Sequence, residues 1–303
     1  MIAMEPAYIG RFAPSPTGPL HFGSLLAALA SYLEARVRGG QWLVRMEDLD
    51  PPREEPGAAE AILRTLAAYG FAWDGPVVYQ SQRGEAFDAA LADLRGSGWS
   101  FDCGCTRKEI RAVAEAGGFG AVYPGTCREG LPPGKAPRLV RLRVGEGRLA
   151  FDDLVQGRFE QDLAAEVGDF PVRRGDGLYA YQLAVVVDDA AQGITHVVRG
   201  ADLLDSTPRQ IFLQRCLGLP TPAYAHIPVA ADPRGLKLSK QTQAPALPDD
   251  DPVPHLVRAF AFLGQPLPAA AERLSLSAFW EWALTTWDAA RIPARRQVGA
   301  GPA

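Results

Sequence analysis

Two polar motifs, far apart in the chain, contain residue types that bind phosphate groups. The first is the stretch Arg11 to Leu25, RFAPSPTGPLHFGSL, in which His21, Gly23 and Ser24 stand where an apolar segment rich in Ala and Leu begins. The prolines exclude a helix or a central strand for the loop, and the apolar segment predicts a helix. A helix N-terminus offers free N–H groups and the positive end of the helix dipole, and glycine lets a ligand approach the backbone. The motif therefore predicts a phosphate site, against the simpler interpretation of a proline-rich turn before a core helix.

The second motif is the stretch 236–241, LKLSKQ, which follows a predicted strand and brackets a serine with Lys237 and Lys240. Lysine ammonium groups neutralise phosphates as point charges. We interpret this segment as a mobile clamp on phosphates. A solvated basic turn is the alternative.

Three carboxylates follow a strand predicted at residues 41–46. They are Glu47, Asp48 and Asp50. In open α/β sheets, ligands bind at the carboxyl ends of the strands. These residues therefore predict part of a polar pocket, whereas an acidic surface turn is the commoner use of such a triplet.

Three of the four cysteines, Cys103, Cys105 and Cys127, are clustered in the sequence. In a cytoplasmic protein, clustered cysteines favour a metal site over disulfides. A tetrahedral zinc ion needs four ligands, and residues 100–175 contain no histidine. The residues leave Tyr123, Asp102 or a water molecule as the fourth ligand, and three reduced thiols without a metal as the alternative.

The composition is that of an ordinary globular protein. The chain has 303 residues, of which 47% are hydrophobic and 22% charged, enough for one large or two modest domains. It has no apolar run of membrane-spanning length and no signal sequence, so we expect a cytoplasmic protein that does not bind a membrane. The net charge of −4 argues against a DNA-binding protein but is compatible with local basic patches that hold RNA. We expect a monomer.

The elements that must position these residues alternate between strand and helix. Strands at 8–12 and 41–46 and helices at 20–38, 54–70 and 82–96 predict an α/β protein, a parallel sheet with crossover helices. We divide the chain into residues 1–100 as the first half of this domain, 101–175 as an inserted subdomain that is β-rich from 137, 176–245 as the second half, and 246–303 as a helical C-terminal segment. Within these parts, residues 205–208 are typical of a helix cap with proline at the first helical position. Helices are expected at 253–263 and 275–290, and poor order at 293–303.

Both phosphate motifs resemble the signatures of the class I aminoacyl-tRNA synthetases. RFAPSPTG with HFGS at residues 21–24 resembles the HIGH signature, and KLSKQ at residues 237–241 resembles KMSKS. The RFAPSPTG lead-in is specific to the glutamyl and glutaminyl branch. Residues 44–50, 180–189 and 198–204 also match, so the resemblance covers residues 8–245.

The cysteine pattern and the short C-terminal segment narrow the resemblance. Cys-x-Cys followed by Tyr-x-x-x-Cys, with only residues 246–303 after the catalytic region, is similar to the glutamyl-Q tRNA(Asp) synthetases. Discriminating glutamyl-tRNA synthetases instead continue into a large helical anticodon-binding domain. The resemblance implies a Rossmann-type catalytic domain with a zinc-bearing insertion, and glutamate attached to the queuosine base of tRNA(Asp). It implies ATP, L-glutamate and this tRNA as partners, with structural Zn²⁺ and with Mg²⁺ bound to ATP.

The resemblance also assigns roles to individual residues. Glutamate would be bound by Arg11, Phe12, Ala13, Pro14, Ser15, Glu47, Tyr181 and Arg199. ATP would be bound by His21, Gly23, Ser24 and Lys240, with His21, Gly23, Lys237 and Lys240 as the catalytic residues. Zinc would be held by Cys103, Cys105, Tyr123 and Cys127. In this assignment Glu47 holds the amino group of glutamate, and Arg199 pairs with a carboxylate through both arms of its planar guanidinium.

The chain departs from the family pattern at four positions. Ser24 replaces the second signature histidine, Leu238 replaces methionine, Gln241 replaces the final serine, and Val185 stands where ordinary glutamyl enzymes often carry asparagine.

The implied chemistry needs no nucleophilic side chain. The carboxylate of glutamate attacks the α-phosphate of ATP, and the resulting adenylate passes its acyl group to an RNA hydroxyl, so catalysis consists of positioning and charge stabilisation. Three alternatives remain: a catalytic fragment of an ordinary glutamyl-tRNA synthetase, an adenylate-forming enzyme with a small-molecule acceptor, and a non-catalytic, zinc-bearing RNA-binding module.

Overall fold

The computed structural model describes residues 7–113, 116–117, 120–231 and 245–299. Lys237 and Lys240 lie outside the described residues. Across the described ranges, no helix combines the length and the apolar character that a bilayer crossing requires.

The first hundred residues form three strands and three helices in alternation. They are β1 (Ile9–Phe12), α1 (Phe22–Val37), β2 (Gln41–Met46), α2 (Ala58–Ala68), β3 (Val78–Tyr79) and α3 (Gly84–Gly96). β1 pairs with β2 and β2 with β3, both in parallel. The predicted parallel sheet with crossover helices is therefore confirmed. The helix predicted for 54–70 begins only at Ala58, because Gly57 before it has φ = 78°, outside the helical region.

The region that follows is mainly antiparallel. Its elements are β4 (Ser100–Cys103), α4 (Arg107–Val113), β5 (Ala116–Gly117), β6 (Gly120–Ala121), β7 (Leu139–Leu142), β8 (Arg148–Asp153), β9 (Gly157–Asp162), α5 (Leu163–Glu166) and β10 (Phe170–Arg173). β7 lies between β4 and β10, and β8 and β9 form a hairpin. The β-rich character predicted from residue 137 onward is confirmed. The hairpin reaches the second half of the main sheet through Leu154, whose N–H donates to the carbonyl of Tyr224 at 2.9 Å.

The second half of the main sheet is built from α6 (Tyr181–Ala191), β11 (His196–Gly200), α7 (Thr207–Cys216), β12 (Ala223–Ile227) and β13 (Val229–Ala231). β11 pairs in parallel with β12 and lies beside β1, where the N–H of Thr195 donates to the carbonyl of Ile9 at 2.9 Å. The ladders β3-β2-β1 and β11-β12 thus lie side by side, which gives the strand order β3-β2-β1-β11-β12. Their carboxyl ends meet at one edge, where a doubly wound sheet binds its ligands.

The predicted helix cap at 205–208 is wrong. Residues 201–206 form a 3₁₀ helix that leads directly into α7, so Ser206 is already helical and its side chain makes no capping bond. Pro208 consequently takes the second helical position. The hydroxyl of Thr207, freed from capping, accepts a hydrogen bond from Arg199 Nη2 at 2.9 Å.

The C-terminal segment covers α1 and then returns to the sheet. It contains α8 (Pro252–Phe262), α9 (Leu276–Thr286) and β14 (Gln297–Gly299). Trp280 packs edge-on against Tyr32 and Phe71, with ring centroids 5.0 and 5.1 Å apart. The expectation of poor order from residue 293 is wrong for 293–299, because β14 pairs in parallel with β13. Residues 300–303 lie outside the described part of the chain.

The helix α1 is the centre of the larger hydrophobic core. Leu25, Leu26, Leu29 and Leu33 are at most 1% exposed, packed between the sheet and the C-terminal helices. Each fully buried leucine contributes about 1.5–3 kcal/mol. Because α1 is held on both sides, its N-terminus stays fixed at the carboxyl edge of the sheet.

Candidate active site

A cavity of about 310 Å³ lies at the carboxyl edge of β1, β2 and β11. It is lined by Arg11, Phe12, Ala13, Ser15, Ala27, Glu47, Tyr181, Val198, Arg199, Gly200 and Leu203. The structure therefore brings together seven of the eight residues assigned to glutamate. Pro14 is not part of the lining, but its carbonyl accepts a hydrogen bond from the N–H of Glu47 at 2.9 Å and so ties the loop after β1 to the end of β2.

The floor of the cavity is a buried network of charges. Arg11 donates through Nε and Nη2 to the two carboxylate oxygens of Asp189, at 3.1 and 3.3 Å. Arg45, which is fully buried, lies 2.8 Å from the same carboxylate and 3.3 Å from Glu47 Oε1. Burial alone would raise the pKa of the Asp189 carboxyl, but the two guanidinium groups outweigh it and hold the pKa below its usual range.

Glu47 is the acidic side chain among the described residues that line the cavity. Burial raises the pKa of its carboxyl, and the nearby charges of Arg45 and Arg11 offset part of this effect. A positively charged ligand group beside Glu47 would stabilise its ionised form in the same way.

Arg199 is held in the wall by four hydrogen bonds. Its Nε donates to His226 Nε2 at 3.0 Å, and its Nη2 donates to Thr207 Oγ1 at 2.9 Å and to Gln210 Oε1 at 2.7 Å. Its Nη1 donates to Tyr181 Oη at 3.4 Å. A guanidinium has five N–H groups. Among the described residues, the fifth, on Nη1, has no acceptor.

These bonds limit how Arg199 can contact a carboxylate in the conformation described. The sequence predicted a two-armed contact with a carboxylate, but Nε and both hydrogens of Nη2 are already used inside the protein. The remaining N–H of Nη1 offers a single bond, next to the hydroxyl of Tyr181.

His226 connects this arginine to the inserted region. It is fully buried, and its Nδ1 lies 2.6 Å from Asp153 Oδ2 at the end of β8. Burial, together with the positive charge of Arg199, lowers the pKa of His226 to about 4, while Asp153 opposes the shift. The ring is therefore neutral, with Nδ1–H donating to Asp153 and Nε2 accepting from Arg199.

A second cavity, of about 200 Å³, adjoins the first at the N-terminus of α1. It is lined by His21, Gly23, Ser24, Ala27, Gly200, Asp202, Ile227, Pro228, Val229 and Ala230. Ala27 and Gly200 line both cavities. The structure thus brings together His21, Gly23 and Ser24, as predicted for a phosphate site. His21 also caps α1, because its Nδ1 accepts from the N–H of Ser24 at 3.4 Å.

Sequence reasoning missed the residues behind the walls. Asp189 lay in a stretch used only to support the resemblance, and no role was assigned to Arg45, Asp153, Gln210 or His226. One signal was available: His226 is a polar residue in the middle of the apolar strand AYAHI. The partners that join Asp189 to Arg11 and His226 to Arg199 are 178 and 27 positions away in the chain, which local patterns do not reveal.

The three clustered cysteines lie together in the inserted region. Their sulfur atoms are within 4.8 Å of one another and all three side chains are buried. The hydroxyl of Tyr123 lies 3.4 Å from Cys103 Sγ and 3.9 Å from Cys105 Sγ, and Cys105 Sγ lies 3.6 Å from Cys127 Sγ. Asp102 points away and pairs with Arg95 at 2.7 Å. Of the two side chains considered as a fourth ligand, the geometry therefore brings Tyr123 to the cluster.

The electrostatics of the cluster favour a thiolate at Cys103. Burial alone would raise the pKa of this thiol, but its hydrogen bond with Tyr123 and the one donated by Arg141 Nε, at 3.4 Å, hold the pKa below its ordinary value.

The family model and the curated relatives that match this chain point to the same family. Residues 9–276 match the family model of the catalytic domain of class I tRNA synthetases (E and Q). A glutamyl-Q tRNA(Asp) synthetase of Dechloromonas aromatica is 60% identical over 96% of this chain and 97% of the relative. One of Chromobacterium violaceum is 58% identical over 95% and 96%, respectively.

Solved structures agree with the fold described above. A glutamate tRNA ligase from Elizabethkingia meningosepticum, in complex with its amino acid, superposes with a TM-score of 0.80 at 26% identity, over 98% of this chain and 67% of that one. A methionyl-tRNA synthetase of Mycobacterium tuberculosis, at 11% identity and a TM-score of 0.55, shares the fold alone.

The neutral, buried His226 predicts a specific dependence of stability on pH. Its pKa of about 4 in the folded protein lies below the ordinary 6.5, so the unfolded chain takes up the proton first. The free energy of unfolding should therefore fall as pH falls from 6.5 toward 4, by up to on the order of 3 kcal/mol from this group. Urea unfolding at several pH values should show this loss in the wild type and a smaller one in His226→Gln. Two results would contradict this prediction. One is an equal loss of unfolding free energy with falling pH in the wild type and the variant, and the other is an imidazole resonance of His226 that titrates near 6.5.

Proposed function

The chain belongs to the glutamyl-Q tRNA(Asp) synthetases, within the class I family of tRNA synthetases for glutamate and glutamine, and from this premise we propose its reaction in detail. It activates L-glutamate with ATP in the absence of tRNA and transfers the glutamyl group to the queuosine base of tRNA(Asp). Membership in a family of ligases argues against the non-catalytic RNA-binding alternative.

The observation that carries this proposal is the pair of adjoining cavities. One is lined by two arginines, a glutamate and a tyrosine, and the other contains the N-terminus of α1. A dicarboxylic amino acid suits the first and a phosphate chain suits the second. The two cavities meet at Ala27 and Gly200, so a carboxylate of one ligand and a phosphate of the other would face each other there.

Glutamate would be bound through its three charged groups. Glu47 would hold the ammonium group, which restores the charge that burial disfavours on this carboxylate. The remaining N–H of Arg199 and the hydroxyl of Tyr181 would hold one carboxylate, with Arg11 adding positive charge to the same wall. The second carboxylate would point toward Gly200, where the reaction takes place.

The chemistry follows from this arrangement. An oxygen of the glutamate carboxylate attacks the α-phosphorus of ATP in line, and pyrophosphate leaves. A hydroxyl of the RNA then attacks the acyl carbon, and AMP leaves. The N–H groups of α1 and His21 would stabilise charge on the phosphates, and Mg²⁺ bound to ATP would neutralise the charge that moves to pyrophosphate. Lys237 and Lys240, outside the described residues, stay predicted as the clamp.

We propose that the cysteine cluster holds a structural zinc ion. A tetrahedral ion with Zn–S bonds of about 2.3 Å separates two sulfur ligands by about 3.8 Å, and a sulfur from an oxygen ligand by about 3.6 Å. The Cys105–Cys127 distance of 3.6 Å and the Tyr123 distances of 3.4 and 3.9 Å suit such an ion. Zinc would tie β4 to the segment around Cys127 and so support the fold of the insertion.

The test of the reaction is a pair of assays on the purified protein. We expect glutamate-dependent ATP–pyrophosphate exchange without RNA, and acid-precipitable labelled glutamate on tRNA(Asp) only when queuosine is present. Charging of tRNA(Glu) would favour the ordinary synthetase. Exchange with no RNA acceptor would favour a small-molecule acceptor, and absence of exchange would remove the proposed activity.

The role of Arg199 predicts a selective kinetic defect. Arg199→Ala should raise the KM for glutamate in the exchange assay by about 10- to 100-fold, because a hydrogen bond to a charged group contributes about 1.5–3 kcal/mol. The KM for ATP should change little. Tyr181→Phe removes one hydroxyl and leaves the buried network intact. It should raise the KM for glutamate by a smaller factor and also leave the KM for ATP nearly unchanged. Arg64→Ala, an exposed arginine on α2, is the matched control. Equal rises for glutamate and ATP would contradict the role.

The zinc proposal predicts one zinc ion per chain by elemental analysis. Cys127→Ala should lose the metal, while Cys216→Ala, which alters the cysteine outside the cluster, should keep it. Chelation should expose three further thiols to a thiol reagent and lower the melting temperature. Three reactive thiols and no metal in freshly purified protein would refute the site.

A further inference from the structure

A third cavity, of about 350 Å³, lies in the inserted region and is strongly basic. Its charged lining residues within the described chain are four arginines and one aspartate: Arg107, Arg138, Arg141, Arg174 and Asp176. The cavity lies between the start of α4, the start of β7 and the loop after β10. Neither the activation of glutamate nor the metal cluster requires such a concentration of positive charge.

Two of these arginines are already committed to partners. Arg141 is buried and donates to the carbonyl of Asp169 at 2.7 Å and to Cys103 Sγ at 3.4 Å. Arg174 pairs with Asp176 at 2.6 Å and with Asp50 at 3.5 Å. These contacts fix both side chains in the wall, where Arg141 adds positive charge and the charge of Arg174 is balanced by its two carboxylate partners.

The other two arginines have no such partner. Within the described residues, the guanidinium groups of Arg107 and Arg138 make neither a hydrogen bond nor an ion pair, and both residues are exposed. Two solvated guanidinium groups that line a cavity beside the uncompensated charge of Arg141 repel one another and Arg141. An anion between them would relieve that repulsion, and a phosphate matches the planar donor pattern of arginine.

The sequence around the cavity also has an excess of basic residues. Residues 101–145 contain eight basic and four acidic residues, in a chain whose net charge is −4. An excess of positive charge confined to one region is the electrostatic footprint of a nucleic-acid contact.

The cavity is also close to the site of chemistry. Arg174 pairs with Asp50, which follows Glu47 by three residues, a span of at most about 11 Å. On the other side, Asp176 precedes Tyr181 by five residues in the loop that leads into α6. A polyanion whose reactive group enters the glutamate cavity can therefore extend to this basic cavity.

We propose that this cavity binds a backbone phosphate of the tRNA through Arg107 and Arg138, and so positions the RNA for glutamyl transfer. The proposal rests on the proposed transfer of glutamate to RNA. No aromatic ring is among the described lining residues, so the cavity suits a phosphate and not a stacked base. Phosphate contacts of this kind set the register of an RNA without reading its sequence.

The test is the double variant Arg107→Ala/Arg138→Ala in the full chain. We expect the KM for queuosine-containing tRNA(Asp) in the transfer reaction to rise about tenfold or more at moderate salt. The slope of log KM against log salt concentration should fall by about 1, as for the loss of one phosphate contact. Arg107→Lys/Arg138→Lys should retain most of the salt dependence. The control Arg64→Ala removes an exposed arginine from α2 and should change neither quantity.

The RNA-free reaction separates this proposal from the proposed function. Glutamate-dependent ATP–pyrophosphate exchange and the melting temperature should be unchanged in the double variant, because neither arginine has a partner in the described structure. An unchanged KM and salt slope for tRNA would overturn the phosphate site and leave the proposed reaction standing. A raised KM for ATP in the RNA-free assay would also overturn it, because the cavity would then serve the nucleotide. If the wild type shows no exchange, the proposed reaction fails, and retention of labelled tRNA on a filter by the same variants still decides the phosphate site.

Discussion

One buried carboxylate, Asp189, determines the position of much of the site. It accepts hydrogen bonds from Arg11 on β1 and lies 2.8 Å from Arg45 on β2, while itself belonging to α6 in the other half of the domain. Removing three such charges from water costs several kcal/mol per ion, and this cost is recovered only while all partners are in place. The network therefore requires β1, β2 and α6 to come together in one arrangement. Arg11 and Glu47 face the cavity as a consequence of that arrangement.

A second buried chain of polar groups links the insertion to the site. Asp153 ends β8, His226 is the fourth of the five residues of β12, and Arg199 lies opposite it on β11. A neutral imidazole has one donor and one acceptor, so it can satisfy Asp153 on one side and Arg199 on the other. The β8–β9 hairpin thus supports the active-site wall from behind, through Asp153 and His226. A change in the β8–β9 hairpin would reach Arg199 through two hydrogen bonds.

The sequence predicted the local elements and the residues at the cavity surface, for different physical reasons. Helices and strands follow from short periodicities, and the prolines of the first motif restrict the loop after β1 to few conformations. The surface residues were found because the two signature motifs resemble those of a known family. In contrast, the partners of Asp189 and His226 are distant in the chain, and no local pattern encodes them.

The expectations that proved wrong also failed because contacts between distant parts of the chain override local sequence patterns. Ser206 has the residue type of a helix cap, but the preceding 3₁₀ helix, fixed by tertiary packing, removes the extended conformation that a cap requires. Residues 297–299 have little intrinsic structure of their own, and they become a strand because β13 offers an unpaired edge. The two-armed contact of Arg199 with a carboxylate stays a prediction, and His226, Thr207 and Gln210 already accept hydrogen bonds from three of its five donors.

The two cavities of the site meet at small residues, and the proposed reaction depends on them as much as on the charged residues. Ala27 and Gly200 line both spaces, and neither has a side chain beyond Cβ. A Cβ atom added at Gly200 would lie 2.4 Å from Asp202 Oδ1 and 3.3 Å from Val229 Cγ1, far closer than normal packing allows for the first contact. The backbone angles of Gly200, φ = −65° and ψ = 144°, are accessible to any residue, so a substitution here is limited by space and would require the Asp202 side chain to move. In-line attack requires the reacting oxygen and phosphorus to approach within about 3–3.5 Å. A thin wall between an acidic amino acid and a phosphate chain permits that approach, whereas a larger side chain at either position would keep the two ligands apart even with every charged residue in place.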